Sequence, residues 1–209
     1  MSSARVEKVV TSGTFSLDGG SWDVDNNVWL VGDDHEVLVI DAAHDAAPIV
    51  EAVGGRQVVA IVCTHGHNDH ISAAGDLFDA TEAPIWLHPA DRMLWDHLYE
   101  PAPDHELADG TTFEVAGTTL TTLHTPGHSF GSTCLYAPDL EAVFTGDTLF
   151  KGGPGATGRS FSDFSLIIES IRDQLLTLPA GTTVHAGHGE DTSIGAEAPH
   201  LPEWIDRGH

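Results

Sequence analysis

The sequence predicts an α/β protein, on two observations. Short, β-branched apolar runs have the character of strands buried on both faces, and segments with helical spacing alternate with them. The chain reads as two rounds of strands followed by helices.

Early strands are expected over residues 6–17, 27–32 and 36–41, the last reading Glu-Val-Leu-Val-Ile-Asp. Residues 45–53 have helical spacing and stop at Gly54-Gly55. A buried strand over 58–63 runs straight into Thr64-His65-Gly66-His67-Asn68-Asp69-His70, and a short helix is expected over 71–78. A strand over 84–87 and a helix over 89–98 come next. Residues 113–115 and 119–123 flank Ala116-Gly117-Thr118 as a hairpin. Strands over 132–136 and 142–145 precede a Gly-rich loop, 152–158. Phe164, Ile167, Ile168, Ile171 and Leu175 then mark one long amphipathic helix over 162–176. Val184 leads into Ala186-Gly187-His188-Gly189. The Pro- and acid-rich end reads as a short, loosely packed tail after about residue 195. The 209 residues suit one domain with a sizeable core.

Composition narrows the function classes. An apolar fraction of 41% describes a globular chain, and no run is long enough to span a membrane. The first five residues carry no apolar leader, which points to the cytoplasm. Cys63 and Cys134 are the only cysteines and sit in strand-like runs, as buried thiols would. Eight basic residues against 32 acidic ones give a formal charge of −24, which disfavours nucleic acid and anionic membranes as partners.

The chemistry concentrates after the buried strand. His65, His67, Asp69 and His70 put four potential ligands into six residues. At a strand end, alternate side chains fall on one side, so His65 and His67 can share one metal. Asp69 and His70, entering a helix, can face a second. Imidazole and carboxylate ligands suit Zn²⁺, with Fe or Mn as alternatives. Three more candidates lie where later strands end: His128 after Thr125-Pro126-Gly127, Asp147 after Gly146, and His188 between Gly187 and Gly189. Singly each would be ordinary; jointly they supply the ligands that two ions need.

This series of motifs, together with the lead-in from Asp109-Gly110 through Phe113-Glu114-Val115-Ala116-Gly117 to His128, resembles the metallo-β-lactamase superfamily over roughly residues 25–190. The resemblance implies an αβ/βα four-layer sandwich of two mixed sheets between helices, with the site at one sheet edge. It implies that His65, His67 and His128 hold one divalent ion, that Asp69, His70 and His188 hold the other, and that Asp147 bridges them. Asp41 matches the family's first motif, where an Asp supports the site from behind; a turn-capping role is equally open. Two such ions would activate water against a carbonyl carbon, with Asp69 and Asp147 as the catalytic carboxylates.

Within the family, Gly146-Asp147-Thr148-Leu149-Phe150 and the Gly-rich loop are similar to short glyoxalase II-like enzymes. That implies thioesters of a small thiol as substrates, a small-molecule acyl-thiol partner, and a monomer or homodimer. Persulfide dioxygenases with one iron and lactonases are the enzymatic alternatives; a non-catalytic metal-binding protein is the alternative of another class. Glyoxalase II carries a basic C-terminal extension for glutathione, whereas after His188 this chain has Arg207 alone. Lys151 and Arg159 remain to touch a substrate, so the thiol carrier (glutathione, mycothiol or another) stays open. The segment 86–107, with Trp95 and Tyr99, is expected either to wall the substrate site or simply to pack.

Overall fold

The structure, a computed structural model, describes residues 4–208; residues 1–3 and His209 fall outside it, and with them most of the N-terminal segment read for a leader. In chain order the strands are β1 (Arg5–Leu17), β2 (Gly20–Gly32), β3 (Glu36–Ile40), β4 (Gln57–Val62), β5 (Ile85–Leu87), β6 (His105–Glu106), β7 (Thr112–Val115), β8 (Thr118–His124), β9 (Thr133–Ala137), β10 (Ala142–Gly146), β11 (Leu149–Phe150), β12 (Gly153–Pro154), β13 (Thr183–Ala186) and β14 (Thr192–Ser193). The helices are α1 (Ala46–Val53), α2 (Asn68–Ile71), α3 (Ala74–Thr81), α4 (Arg92–Trp95), α5 (Phe164–Ser170), α6 (Ile194–Glu197) and α7 (Leu201–Arg207).

One sheet runs β1-β2-β3-β4-β5-β6 and the other β14-β13-β10-β9-β8-β7. Both are mixed: β3 to β6 pair in parallel, as do β10 and β13, while the other pairs are antiparallel. The period of two in β2 and β3 decides which layer each side chain enters. Trp29, Val31, Leu38 and Ile40 turn inward to meet Leu120, Leu135 and Phe144 of the second sheet. Val28, Leu30, Val37 and Val39 turn outward onto Ile49 and Val53 of α1 and Leu77 of α3. On the far side Ile167, Ile171, Leu175 and Trp204 cover β10 and β13. Helix, sheet, sheet, helix is the four-layer sandwich expected.

Several elements differ from the sequence reading. The strand expected over 27–32 begins at Gly20, so β1 and β2 form one long hairpin of two 13-residue strands. Asp18 (φ 53°) and Gly19 (φ 77°) make its turn; a two-residue left-handed Asp-Gly turn matches the twist of the strands. The helix expected over 71–78 is divided into α2 and α3, and that over 89–98 into a 3-10 turn and α4. The long helix starts from an Asp163 cap and finishes as a π turn, Ile171–Leu175. The loosely packed tail is a correction. α7 folds back and buries Trp204, 1% exposed, against the second sheet's helical layer. The Pro and acid content hid one aromatic anchor. Among the described residues no helix is long and apolar enough to cross a membrane.

Candidate metal centre

The seven predicted ligands come from strand-end turns, and for Asp69 and His70 from the short helix that follows one of them, at one edge of the sandwich. β4 stops at Val62, and the turn after it carries His65 and His67 inward before α2 presents Asp69 and His70. All four are buried, at 1%, 4%, 3% and 0% exposure. β8 leads to His128, β10 to Asp147 and β13 to His188. Gly187 is required where β13 exits, because a Cβ there would meet Asp147 Oδ1 at 2.4 Å and His70 Cε1 at 2.6 Å. Only a residue without a side chain lets these two ligands meet.

The ligand atoms converge. His65 Nε2 and His128 Nε2 each lie 3.0 Å from His67 Nδ1. His188 Nε2 lies 3.3 Å from His70 Nε2 and 3.3 Å from Asp69 Oδ2. Asp147 reaches both groups, with Oδ1 3.3 Å from His70 Nε2 and Oδ2 3.6 Å from His128 Nε2. Three triads have ligand atoms within 4.8 Å of one another: His65/His67/His128, Asp69/His70/His188 and His65/His70/Asp147.

A second tier of contacts aims these rings. His70 Nδ1 donates to Asp41 Oδ2 at 2.9 Å; His128 Nδ1 donates to the Ala156 carbonyl at 2.8 Å and His188 Nδ1 to the Asp25 carbonyl at 2.7 Å. With Nδ1 engaged outside, Nε2 is the nitrogen left facing inward, where a metal would take the place of its proton. Asp41 also accepts from Thr64 N at 2.7 Å and Thr64 Oγ1 at 2.8 Å. It therefore supports the site and fixes the turn that follows β4, so both readings of it hold.

The electrostatics require positive charge here. Burial opposes ionisation of Asp69 and Asp147, yet His70 and His188 hold Asp69 down at about 2 and Asp147 well below the carboxylate range. Burial likewise opposes the charged imidazole of His188, but Asp147 and Asp69 raise it to about 10. These shifts are one fact seen from both partners: buried carboxylates draw protons onto neighbouring rings. Burial and the adjacent rings push His65 far down and His67 to about 3, leaving both neutral and ready to ligate. Asp69 Oδ1 and Asp147 Oδ1 are buried without a hydrogen-bond partner. Such atoms are costly to leave bare, so the donor set fits divalent cations.

Beside this cluster lies a cavity of about 270 Å³, lined by His67, Asp69, His128, Asp147 and His188 on one side. The rest of the lining is Phe15, Leu17, Trp22 and Val24 from the β1–β2 hairpin, with Phe150, Ala156, Arg159, Ser160 and Ser162. Of the two expected substrate contacts, Arg159 therefore lines the cavity. Lys151 does not: it is exposed and paired with Glu190, outside the lining. The segment 86–107 contributes no wall to this cavity either. Trp95 lies against Tyr99, with ring centroids 4.3 Å apart, and donates to the Pro101 carbonyl, so both residues pack.

Four contributors escaped the sequence reading. Asp91, 1% exposed, accepts from Gly66 N at 2.8 Å, Ser129 Oγ at 2.6 Å and Gly131 N at 2.6 Å, tying the His65–His67 turn to the His128 loop. Asn26 donates to Asp69 Oδ2 at 3.2 Å, and its own carbonyl meets His44 Nε2 at 2.8 Å. Nothing in the local sequence marks these three. The fourth, the aromatic hairpin, was marked: Asp18-Gly19 between alternating apolar residues is a hairpin signal.

Comparison with known proteins agrees with this geometry. The family model described as "Metallo-beta-lactamase superfamily" matches residues 22–188. The "Probable metallo-hydrolase YqgX" of Bacillus subtilis is 33% identical, covering 85% of this chain and 90% of its own. The "Hydroxyacylglutathione hydrolase GloC" of Haemophilus influenzae is 31% identical, covering 82% and 89%. Among solved structures, the BLEG-1 B3 metallo-beta-lactamase superposes with TM-score 0.79 at 28% identity, covering 93% of this chain and 99% of that one. TTHA1623 in a di-iron-bound form gives 0.72 at 30% identity, covering 90% and 96%. The chain thus belongs to the metallo-beta-lactamase superfamily, as a metal-dependent hydrolase.

Proposed function

We propose that the protein hydrolyses thioesters of a small thiol, using two divalent ions held at this centre. The observation that carries the two-ion reading is Asp147, whose oxygens reach toward both histidine groups. His65, His67 and His128 would hold one ion; Asp69, His70 and His188 the other; Asp147 would lie between. Zn²⁺ suits these nitrogen and oxygen donors, and iron or manganese would also be accepted. When bound, the ions supply an acidified water as nucleophile and a Lewis acid for the substrate carbonyl.

The cavity supports a thioester in particular. Every titratable side chain lining it, apart from Arg159, belongs to the ligand set. That leaves no independent acid to protonate a leaving group. A thiolate, with a pKa of about 8.5, departs without one, whereas an amide nitrogen does not. The likeness to a hydroxyacylglutathione hydrolase supports the same choice. To Asp69 we assign the proton acceptor's role, through its unpartnered Oδ1. The partner is accordingly a small acyl-thiol, with no part for nucleic acid or membrane.

The test follows free-thiol release from acyl thioesters by protein loaded with Zn²⁺, Fe²⁺ or Mn²⁺. Release by the wild type, lost by about 10²-fold or more in Asp147→Ala, is expected. No release with any metal would remove the thioesterase reading. Oxygen uptake with a thiol persulfide would then replace it by a dioxygenase.

A further inference from the structure

The cations of this chain are scarce and mostly occupied. Arg5, Arg56, Arg92, Lys151 and Arg172 each hold a carboxylate. Arg159 has no such ion pair among the described residues. Its guanidinium carbon sits 3.9 Å from the centre of the Trp22 ring and 5.5 Å from that of Phe15. The acidic residue that feels it, Asp18, is already accepting from Ser160 N at 3.0 Å. This hydrogen bond also clips the loop bearing Arg159 to the hairpin tip. The cation is thereby held at the cavity wall, by two aromatic rings and a neighbouring backbone bond, with its donors unspent.

An arginine stacked on an aromatic ring keeps its forked N–H groups free for a planar anion. The other non-ligand walls of the cavity are mostly apolar (Phe15, Leu17, Trp22, Val24, Phe150 and Ala156), with Ser160 and Ser162 as neutral polar groups beside Arg159. One arginine in a lining otherwise apolar or neutral outside the ligand set, in a chain of charge −24, suits a single negative group and opposes several.

Resting on the thioesterase reading, we propose that Arg159 is the specificity residue of this cavity, and that the substrates are thioesters bearing one carboxylate beside an apolar body. The carboxylate takes the guanidinium fork, and the apolar body lies against Phe15 and Trp22. Arg159 positions the substrate and takes no part in bond breaking.

Two matched pairs of substrates test this on the metal-loaded enzyme. S-acetyl-N-acetylcysteine against its carboxamide varies the thiol arm; S-succinyl- against S-butyryl-N-acetylcysteamine varies the acyl arm. In at least one pair the carboxylate substrate should have a KM about tenfold lower, and Arg159→Gln should erase that ratio while kcat and the neutral substrate stay within about twofold. Which pair responds tells which arm carries the carboxylate. Ratios near one in both pairs, or a ratio that survives in Arg159→Gln, would overturn the proposal and leave the thioesterase reading intact. Calorimetric titration with 3-phenylpropionate, and with its amide as control, reads the same site without turnover. The acid should bind about tenfold more weakly to Arg159→Gln, and the amide equally to both. Equal affinity for the acid overturns the proposal, even if no thioester is cleaved.

Discussion

At the scale of single residues, the centre depends on side chains that never touch the ligand atoms. Asp91 is the clearest case. Its two oxygens satisfy two backbone N–H groups and one hydroxyl, on loops 63 residues apart (from Gly66 to Ser129). Asn at this position presents an NH₂ group to one of those N–H donors, leaving a buried donor unpaired at a cost of about 1–3 kcal/mol. Asp91→Asn should therefore lower stability by that amount and weaken Zn²⁺ binding about 10- to 100-fold, as measured by competition with a chromogenic chelator. Unchanged Zn²⁺ affinity would show that the two ligand loops hold their places without it. The ligands themselves were readable from sequence because each stands beside a glycine or in a dense His/Asp run at a strand exit. Asp91, Asn26 and His44 were not, because a hydrogen bond to a distant backbone leaves no local pattern. Arg159 was singled out only as a surviving cation; its seat over Trp22 arises from a contact between loop and hairpin far apart in the chain.

Among the elements, strands with two buried faces were the most legible, since continuous apolar runs such as β3 and β4 have no other place to go. The first part of β2 was missed. Residues 20–26 read Gly-Ser-Trp-Asp-Val-Asp-Asn and project beyond the sheet, so they show exposed, polar positions where a core strand shows apolar ones. That projection is what lets the hairpin wall the cavity. The closing helix α7 was misread for the opposite reason, because one buried tryptophan in a seven-residue helix is too short a signal for periodicity. Trp204 packs with Ile194, Leu175 and their neighbours in the outer layer. Trp204→Ala should destabilise the protein by about 3–5 kcal/mol in chemical denaturation. A change under about 1 kcal/mol, the range of surface substitutions, would mean that the C-terminal helix adds little to the fold.

At the scale of the molecule, the charge of −24 bears on stability as well as on partners. Self-repulsion among 32 acidic residues is relieved by salt, because the screening length falls from about 10 Å at 0.1 M to about 3 Å at 1 M. The melting temperature should rise between 0.05 and about 0.5 M NaCl; a fall would mean that specific ion pairs such as Arg56–Glu7 outweigh the general repulsion. The four-layer architecture brings the ends of β4, β8, β10 and β13 to one edge, and that convergence turns dispersed motifs into one centre.

The central claim is that this edge holds two divalent ions, and their number per chain tests it most directly. Elemental analysis of protein reconstituted with Zn²⁺ and freed of excess metal should give two ions per chain, falling to one or none in Asp147→Ala. A wild-type content of one ion per chain, unchanged by excess metal, would contradict the two-ion account and reassign Asp147 to a single-metal site.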